Sequence, residues 1–500
     1  MDNQFSSFYK SSASNLHISW LVLPSLLVVY VLANIVYRLY FHPLARFPGP
    51  KLAAITHLYE FYFNIIQDGM FIWEIERMHE VYGPIVRITP YELHVKDPQF
   101  YDDIYAASTR KTEKYLNFVS HFGTPLSMIT TIGHDHHRIR RAPLNSFFSK
   151  RSVVRLEPVI QENIDKLCKR FDDDCAAQNV VRLDVAFIAL TTDIITRYSY
   201  GKSYNYLNEP DYKLEWKDAV LEASANGAAM RHFPFMLALS KNMPRSLLRK
   251  LNSRIAILLE IQDMVRSQSL ESLNNSNKGT NTGENGQKKS IFDALNDPEL
   301  LAPEERTIDR LQDEGQILLG AGSETTAKSL TVIALHLLRD PSVLERLRGE
   351  LKTVMPTTTS TASWTELEKL PFLTAVIKEG LRLSYGVTTR LPRVSPTEAL
   401  QYKDWIIPPG TPVSESSYFV HMDPSIFPSP ESFDPSRWLI AAANAYAELY
   451  LTVAHIFRRY DFHLYDTNVD DVKLVRDRFF GAPKDGSKGV RVYVEGLVKE

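Results

Sequence analysis

From Ile18 to Tyr37 the chain runs twenty residues without a charge, the longest apolar stretch in its pattern. At about 1.5 Å per residue such a helix is about 30 Å long, the thickness of a bilayer's hydrocarbon core. The pattern therefore predicts one transmembrane helix over 18–37 behind a short luminal segment, 1–17. The run exceeds the roughly 7–15 apolar residues of a signal-peptide core, which argues against a cleaved leader. Arg38, Arg46 and Lys51 follow the run and only Lys10 precedes it, so the positive-inside bias places the rest of the chain on the cytosolic side. Pro43, Pro48, Gly49 and Pro50 predict a stiff, non-helical hinge over 38–52, and residues 53–500 follow as one globular body.

Within that body, alternation in Ile85-Val86-Arg87-Ile88-Thr89 and Leu93-His94-Val95, bounded by Gly83 and Pro98, predicts a small hairpin. Helical periodicity dominates from Leu156 to Leu270, broken near Gly201, Pro210 and Pro234. Residues 267–290, rich in Asn, Ser, Gly, Thr and Lys, read as a mobile surface loop. One long, largely apolar helix is expected from Thr307 to Leu338. After the break at Pro356, Trp364-Thr365-Glu366-Leu367 reads as a helix start. Val387–Ser417 is strand-rich, with Pro408-Pro409-Gly410 as a turn. The fold class is mainly α with a minor β region, and no internal repeat shows at any period.

Composition changes this picture little. With 44% hydrophobic and 23% charged residues the chain can bury a large core, and its formal net charge of −2 is spread without one-sign blocks, so no nucleic-acid partner is expected. Two cysteines, Cys168 and Cys175, on the cytosolic side argue against a disulfide framework and read as reduced core thiols.

Candidate chemistry lies in four places. Ala321-Gly322-Ser323-Glu324-Thr325-Thr326 sits inside the long helix. Gly322 costs that helix about 1 kcal/mol relative to Ala, and either a close ligand or close helix packing explains it. Thr325 can bond back to a carbonyl one turn earlier and open the helix locally, and Glu324 beside it can feed protons. Glu379 and Arg382 are one turn apart on a helix face, and Arg437, some fifty residues later, can add a second guanidinium to the same carboxylate. His137 and Arg141 are likewise one turn apart and can clamp a ligand carboxylate, or else belong to a solvated basic face with Arg138 and Arg140. Arg393 in Leu391-Pro392-Arg393-Val394 is a second clamp or an exposed strand residue.

In this order these motifs resemble the cytochrome P450 family, and the likeness runs from the anchor to the C-terminus. The wording of Tyr40–Lys51, Leu144–Ser149 and Tyr446–Leu451 is closest to fungal microsomal members of secondary metabolism, similar to trichodiene-oxygenase-like enzymes. The resemblance implies the P450 fold and single-pass anchoring in the endoplasmic reticulum membrane with the main domain cytosolic. It implies a haem cofactor, NADPH-derived electrons from a cytochrome P450 reductase, and insertion of oxygen into a small apolar substrate of terpenoid or polyketide type. It assigns Glu324 and Thr325 to dioxygen activation, Glu379, Arg382 and Arg437 to a structural triad, and His137, Arg141 and Arg393 to the haem propionates. Ser436 departs from the acidic residue usual at its position.

The departure that matters is the family's haem-ligand loop, Phe-Gly-Arg-Cys before the last helix, which this sequence lacks. The text on both sides still matches, so a stretch of a few tens of residues is expected to be missing between Ile440 and Asn444, and no residue is assigned as a metal ligand. Thiolate ligation favours O–O cleavage. The chain as written is therefore expected to be inactive: a shortened form of a working oxygenase, an inactive relative, or a haem-free, membrane-tethered binding module.

Overall fold

A computed structural model describes residues 22–105, 110–251, 253–277, 290–439 and 447–499. The luminal segment expected over 1–17 and the chain break expected between Ile440 and Asn444 lie outside the described residues. The chain divides into two compact units, one formed by Met1–Ala107 and Val394–Glu415, the other by Ser108–Arg393 and Ser416–Glu500.

In the first unit, Val22–Phe41 forms the helix long and apolar enough to cross a membrane. It ends four residues later than the apolar run suggests, because its last turn, Tyr37–Phe41, widens into a π-helix that carries Arg38 beyond the charge-free stretch. The expected hinge contracts accordingly, since helix returns at Lys51–Ile55. Gly49 is where the elbow meets the body: the Arg87 amide donates to the Pro48 carbonyl (2.7 Å), and a Cβ on Gly49 would stand 2.5 Å from the Arg87 carbonyl oxygen. The predicted hairpin pairs Ile85–Arg87 with Leu93–Val95 in antiparallel register, Ile85 opposite Val95, and Leu93 continues in parallel against Val413. Leu44, Phe47, Ile85, Leu93, Tyr402 and Val413 close a small apolar core.

Glu415 ends this unit with a buried carboxylate. One oxygen accepts the Asp97 amide (3.2 Å) and the other has no partner. Burial, with the Asp97 charge adding to it, pushes this carboxyl up to about 8. The folded chain thus holds a proton that the unfolded chain has released between the ordinary carboxyl range and about pH 8, so stability falls as pH rises through that window. Glu415→Gln removes the penalty while keeping the acceptor for Asp97. At pH 8.5 it is expected to stabilise the protein by about 1–3 kcal/mol and at pH 4 to change little, as read from denaturant midpoints. Equal effects at both pH values would refute the assignment.

The second unit is the helix-rich body. The long helix, α4 below, spans Ile308–Arg339 and is capped by the Thr307 side chain, which accepts the Arg310 amide. Around it pack α2 (Leu183–Tyr200), α3 (Ser253–Asn277), α5 (Pro371–Ser384) and α6 (Ala447–Arg459), preceded in the chain by α1 (His134–Asn145). Their contact faces supply one continuous apolar core that includes Ile188, Ile195, Leu330, Ile333, Leu373 and Val453. A three-stranded antiparallel sheet sets Arg491–Leu497 between Val180–Arg182 and Tyr460–Leu464. The loop expected over 267–290 is partly helix: α3 continues to Asn277, and residues 278–289 lie outside the described residues. The helix start at Trp364 is capped reciprocally by Ser363 and Glu366.

Candidate functional site

The Glu379 carboxylate organises one end of the body. Arg382, one turn along α5, forks onto it through Nε (2.8 Å) and Nη2 (2.7 Å). Arg437 adds its Nε at 3.1 Å, the Asp434 amide 3.0 Å and the Trp438 indole 2.9 Å. The remaining N–H groups of Arg382 reach the carbonyls of His421, Pro430 and Ser432, so this buried pair has few unmet hydrogen bonds. Burial alone would raise the Glu379 carboxyl, but the bonds from Arg382, Asp434 and Trp438 outweigh it and hold the group below the usual carboxylate range. The three residues singled out from spacing meet as one network. Trp438 and the Asp434 amide are members that spacing did not identify.

In α4 the expected Thr325 hydroxyl bond is made, Oγ1 donating to the Ala321 carbonyl at 2.8 Å. The helix nevertheless runs unbroken through this turn, so the bond does not open it. Ala321 is exposed in mid-helix and Thr325 half-buried, whereas Ser323, Glu324 and Ala327 are buried. The helix thus has an uncovered side at Ala321 and Thr325 and a packed side behind it. Gly322 serves the packed side: a Cβ there would stand 2.6 Å from Ile195 Cγ1, and Thr191 Oγ1 donates to the Ser323 carbonyl (2.8 Å) in the same contact. Of the two explanations for Gly322, helix packing is the one observed. Gly322→Ala is expected to destabilise by about 1–2 kcal/mol, overpacking exceeding the helix-propensity gain. Paired with Ile195→Ala it should cost less than the two single changes summed, and a stabilising single variant would contradict this contact.

Glu324 faces a cavity of about 410 Å³ whose lining includes Arg182, Asp184, Lys217 and Lys328. Burial raises its carboxyl, partly offset by Lys217 and Lys328. Burial likewise brings Lys328 down to about 8 against the pull of Glu324 and Asp477. Lys328 donates to the Gly481 carbonyl and Lys217 to Asp184.

His137 and Arg141 lie one turn apart on α1, both half-buried. His137 Nε2 is 3.1 Å from Met128 Sδ. Burial first, then the charges of Lys114, Arg141 and Arg393, hold its imidazole down to about 4, so it is neutral near pH 7. Arg141 lies over the Phe148 ring at 5.5 Å. The solvated basic face does not exist as such. Arg138 is exposed, but Arg140 is buried and donates to Glu305 (2.7 Å) and Thr131 (2.8 Å). Lys114 is the member that sequence reasoning missed: a lysine in a short strand carries no pattern that tells a buried cation from a solvated one.

The family model for cytochrome P450 matches residues 54–452, and the chain belongs to that family. It is 46% identical to the conidiogenone synthase of Penicillium rubens, over 93% of this chain and 97% of that protein. It is 40% identical to a cytochrome P450 monooxygenase of Fusarium sporotrichioides (91% of each chain) and to the tryptophan 6-hydroxylase of Fusarium equiseti (97% and 99%). The alignment with the P. rubens protein runs over 488 positions yet covers 93% of this chain, about 465 of its 500 residues. About two dozen positions of that relative therefore have no counterpart here. The F. equiseti alignment, 511 positions over 97% of the chain, leaves a similar shortfall.

The family implies haem, and the described residues fit it in part. Lys114, Arg141 and Arg393 bring positive charge to bear on the neutral His137, a group suited to holding ligand carboxylates. No cysteine follows Cys175. Cys168 is buried on the helix Lys150–Ala177, and burial pushes its thiol up to about 12, so it carries no thiolate near pH 7. His455 is buried on α6 with Nδ1 2.8 Å from the Leu451 carbonyl. The residues fit the porphyrin's carboxylates but not a thiolate-bound iron.

Proposed function

We propose that this chain is a shortened member of an oxygenase lineage of fungal secondary metabolism, and that as written it does not carry out the family's oxygen chemistry. The parent activity is oxidation of a small apolar intermediate of terpenoid or polyketide type, with NADPH-derived electrons from a reductase on the same endoplasmic reticulum membrane. The likeness to fungal P450 monooxygenases supports that lineage. Val22–Phe41 supports anchoring, with the main domain cytosolic.

The observation that carries the inactivity is the cysteine inventory: Cys168 and Cys175 only, the first protonated in the core. Bound through a thiolate, haem supplies the electron push that favours O–O cleavage. In a complete member the buried Glu324 carboxyl, whose proton affinity burial raises, can take up and pass on a proton, and the polar cavity with Lys217 and Lys328 connects that carboxyl to water. The Thr325 hydroxyl stands on the uncovered side of α4. The triad fixes the 428–438 segment, which leads into the place where the ligand loop belongs.

Sequencing the transcript across the codons for Ile440 to Asn444 tests this reading. A transcript that encodes this chain supports it. One with an added in-frame stretch encoding Phe, Gly, Arg and Cys would show that the gene's product is longer and active.

A further inference from the structure

A second cavity of about 410 Å³ opens at the far end of α4. Val332, His336 and Arg339 line it at i, i+4 and i+7, one stripe of the helix. His336 lies twelve residues beyond Glu324, about 18 Å along the axis at 1.5 Å per residue. Further walls come from Tyr385 at the end of α5, from Tyr418, and from Phe433 beside the Asp434 amide that binds Glu379. All of these belong to the second unit, and the volume falls within the range of about 300–1,000 Å³ usual for small-molecule sites.

Three polar groups on these walls have no hydrogen-bond or ion-pair partner among the described residues: the His336 imidazole, the Tyr385 hydroxyl and the Arg339 guanidinium. The walls are also rich in flat rings. His336 lies parallel to Phe433 (centroids 4.8 Å, 4°), and Tyr385 meets Tyr418 edge to face (5.0 Å, 71°). Burial, with Arg339 adding to it, holds His336 down to about 4, and burial pushes the Tyr385 hydroxyl up to about 12. Near pH 7 the imidazole is therefore neutral and the hydroxyl keeps a proton to donate. Tyr385 also stands in the left-handed backbone region, φ +60°, directly before Gly386 at the same φ. A bulky side chain is uncommon there, and such strain persists where the surroundings hold a side chain in place for a use. Here it holds a ring and a hydroxyl at the cavity wall.

The charges around the cavity select what can enter. Lys473 is paired with Glu431 (3.2 Å), and the Asp340 carboxylate caps the next helix by accepting the Ser342 and Val343 amides. Of the cations lining the cavity, Arg339 is the one left to meet a ligand. We infer that this cavity binds a small aromatic monocarboxylate, its ring against those of His336 and Tyr385 and its carboxylate on Arg339. The guanidinium fork suits a carboxylate bidentately, and the Tyr385 hydroxyl is a further donor. A neutral ring would leave Arg339 unused, whereas a phosphate or a dicarboxylate would bring its second charge against Glu431 and Asp340. The site lies apart from Glu324 and Thr325, and its occupation does not depend on haem.

The test titrates the full chain in detergent, by calorimetry, with naphthoate, its neutral amide naphthamide, and the saturated acid decalincarboxylate. Naphthoate is expected to bind at least tenfold more tightly than either analogue. Arg339→Gln should weaken naphthoate about tenfold and leave naphthamide unchanged. Tyr385→Phe, which keeps the ring, should weaken naphthoate about threefold. Arg339 is exposed and bonds to nothing among the described residues, so its variant separates lost binding from lost folding and also measures uptake of naphthoate by the detergent. Equal affinities for naphthoate and naphthamide would reduce the cavity to an apolar hollow and overturn the inference. Equal affinities for the two acids would remove the selection for a ring and overturn it as well. Naphthoate binding that Arg339→Gln leaves unchanged would place the acid elsewhere, and no binding of naphthoate at millimolar concentration would likewise refute the site.

Discussion

Glu379→Ala is expected to remove about 3–5 kcal/mol, a large share of the protein's stability. The Glu379 side chain is fully buried and accepts five hydrogen bonds, two from Arg382 and one each from Arg437, Trp438 and the Asp434 amide. Removing it strands a buried guanidinium beside a second one. Breaking a buried pair from one side costs about 3–5 kcal/mol, against a net stability of about 5–15 kcal/mol for a whole domain. Glu379→Gln keeps the shape and some acceptors and should be milder. Glu379→Ala combined with Arg382→Ala should cost less than the sum of the two, because the second change removes the charge that the first left unpaired. The pH dependence has a definite sign: the folded carboxyl titrates below its unfolded value, so its contribution is present above the ordinary carboxyl range and is lost as pH falls through the folded value. Denaturant midpoints of the four proteins at pH 7, and of the parent chain down to pH 3, measure both effects. A Glu379→Ala protein with an unchanged midpoint would sink the account of the network.

The second large effect is gain of haem. Inserting between Ile440 and Asn444 the corresponding segment of the P. rubens relative should convert a chain without a thiolate-type haem signal into one that has it. The insert is expected to stabilise the body as well. An unfilled slot costs on the order of 24 cal/mol per Å³, so a bound macrocycle is worth several kcal/mol where a void would otherwise stand, and the unfolding midpoint should rise when haem is supplied. The same insert with its cysteine changed to serine should lose the thiolate spectrum. If the cysteine-bearing insert binds no haem, the lesion is not confined to this seam.

What the sequence could reveal follows from how local each signal is. The apolar anchor and the long helix with its Thr307 cap are local patterns, and the structure contains both. The triad was legible because Glu379 and Arg382 are one turn apart and Arg437 follows in a recognisable order. Where contacts join distant positions the sequence was silent. Gly322 is explained by Ile195 on α2, and Arg140 is buried by Glu305, 165 positions away. The end of α3 was read as loop because its buried face there is serine: Ser269 and Ser272 sit inside, continuing the line of Ile261 and Val265, where a search for apolar periodicity finds none. Lys114 was missed because the same residue type serves equally well in water.

A reduced, carbon monoxide-difference absorption spectrum of the 500-residue chain, expressed in membranes with haem supplied, tests the central claim most directly. With the protein present, no thiolate-type Soret band is expected, since the buried Cys168 thiol is protonated and no cysteine follows Cys175. A thiolate-type band from this chain would mean that one of those two cysteines reaches iron, and would contradict the account.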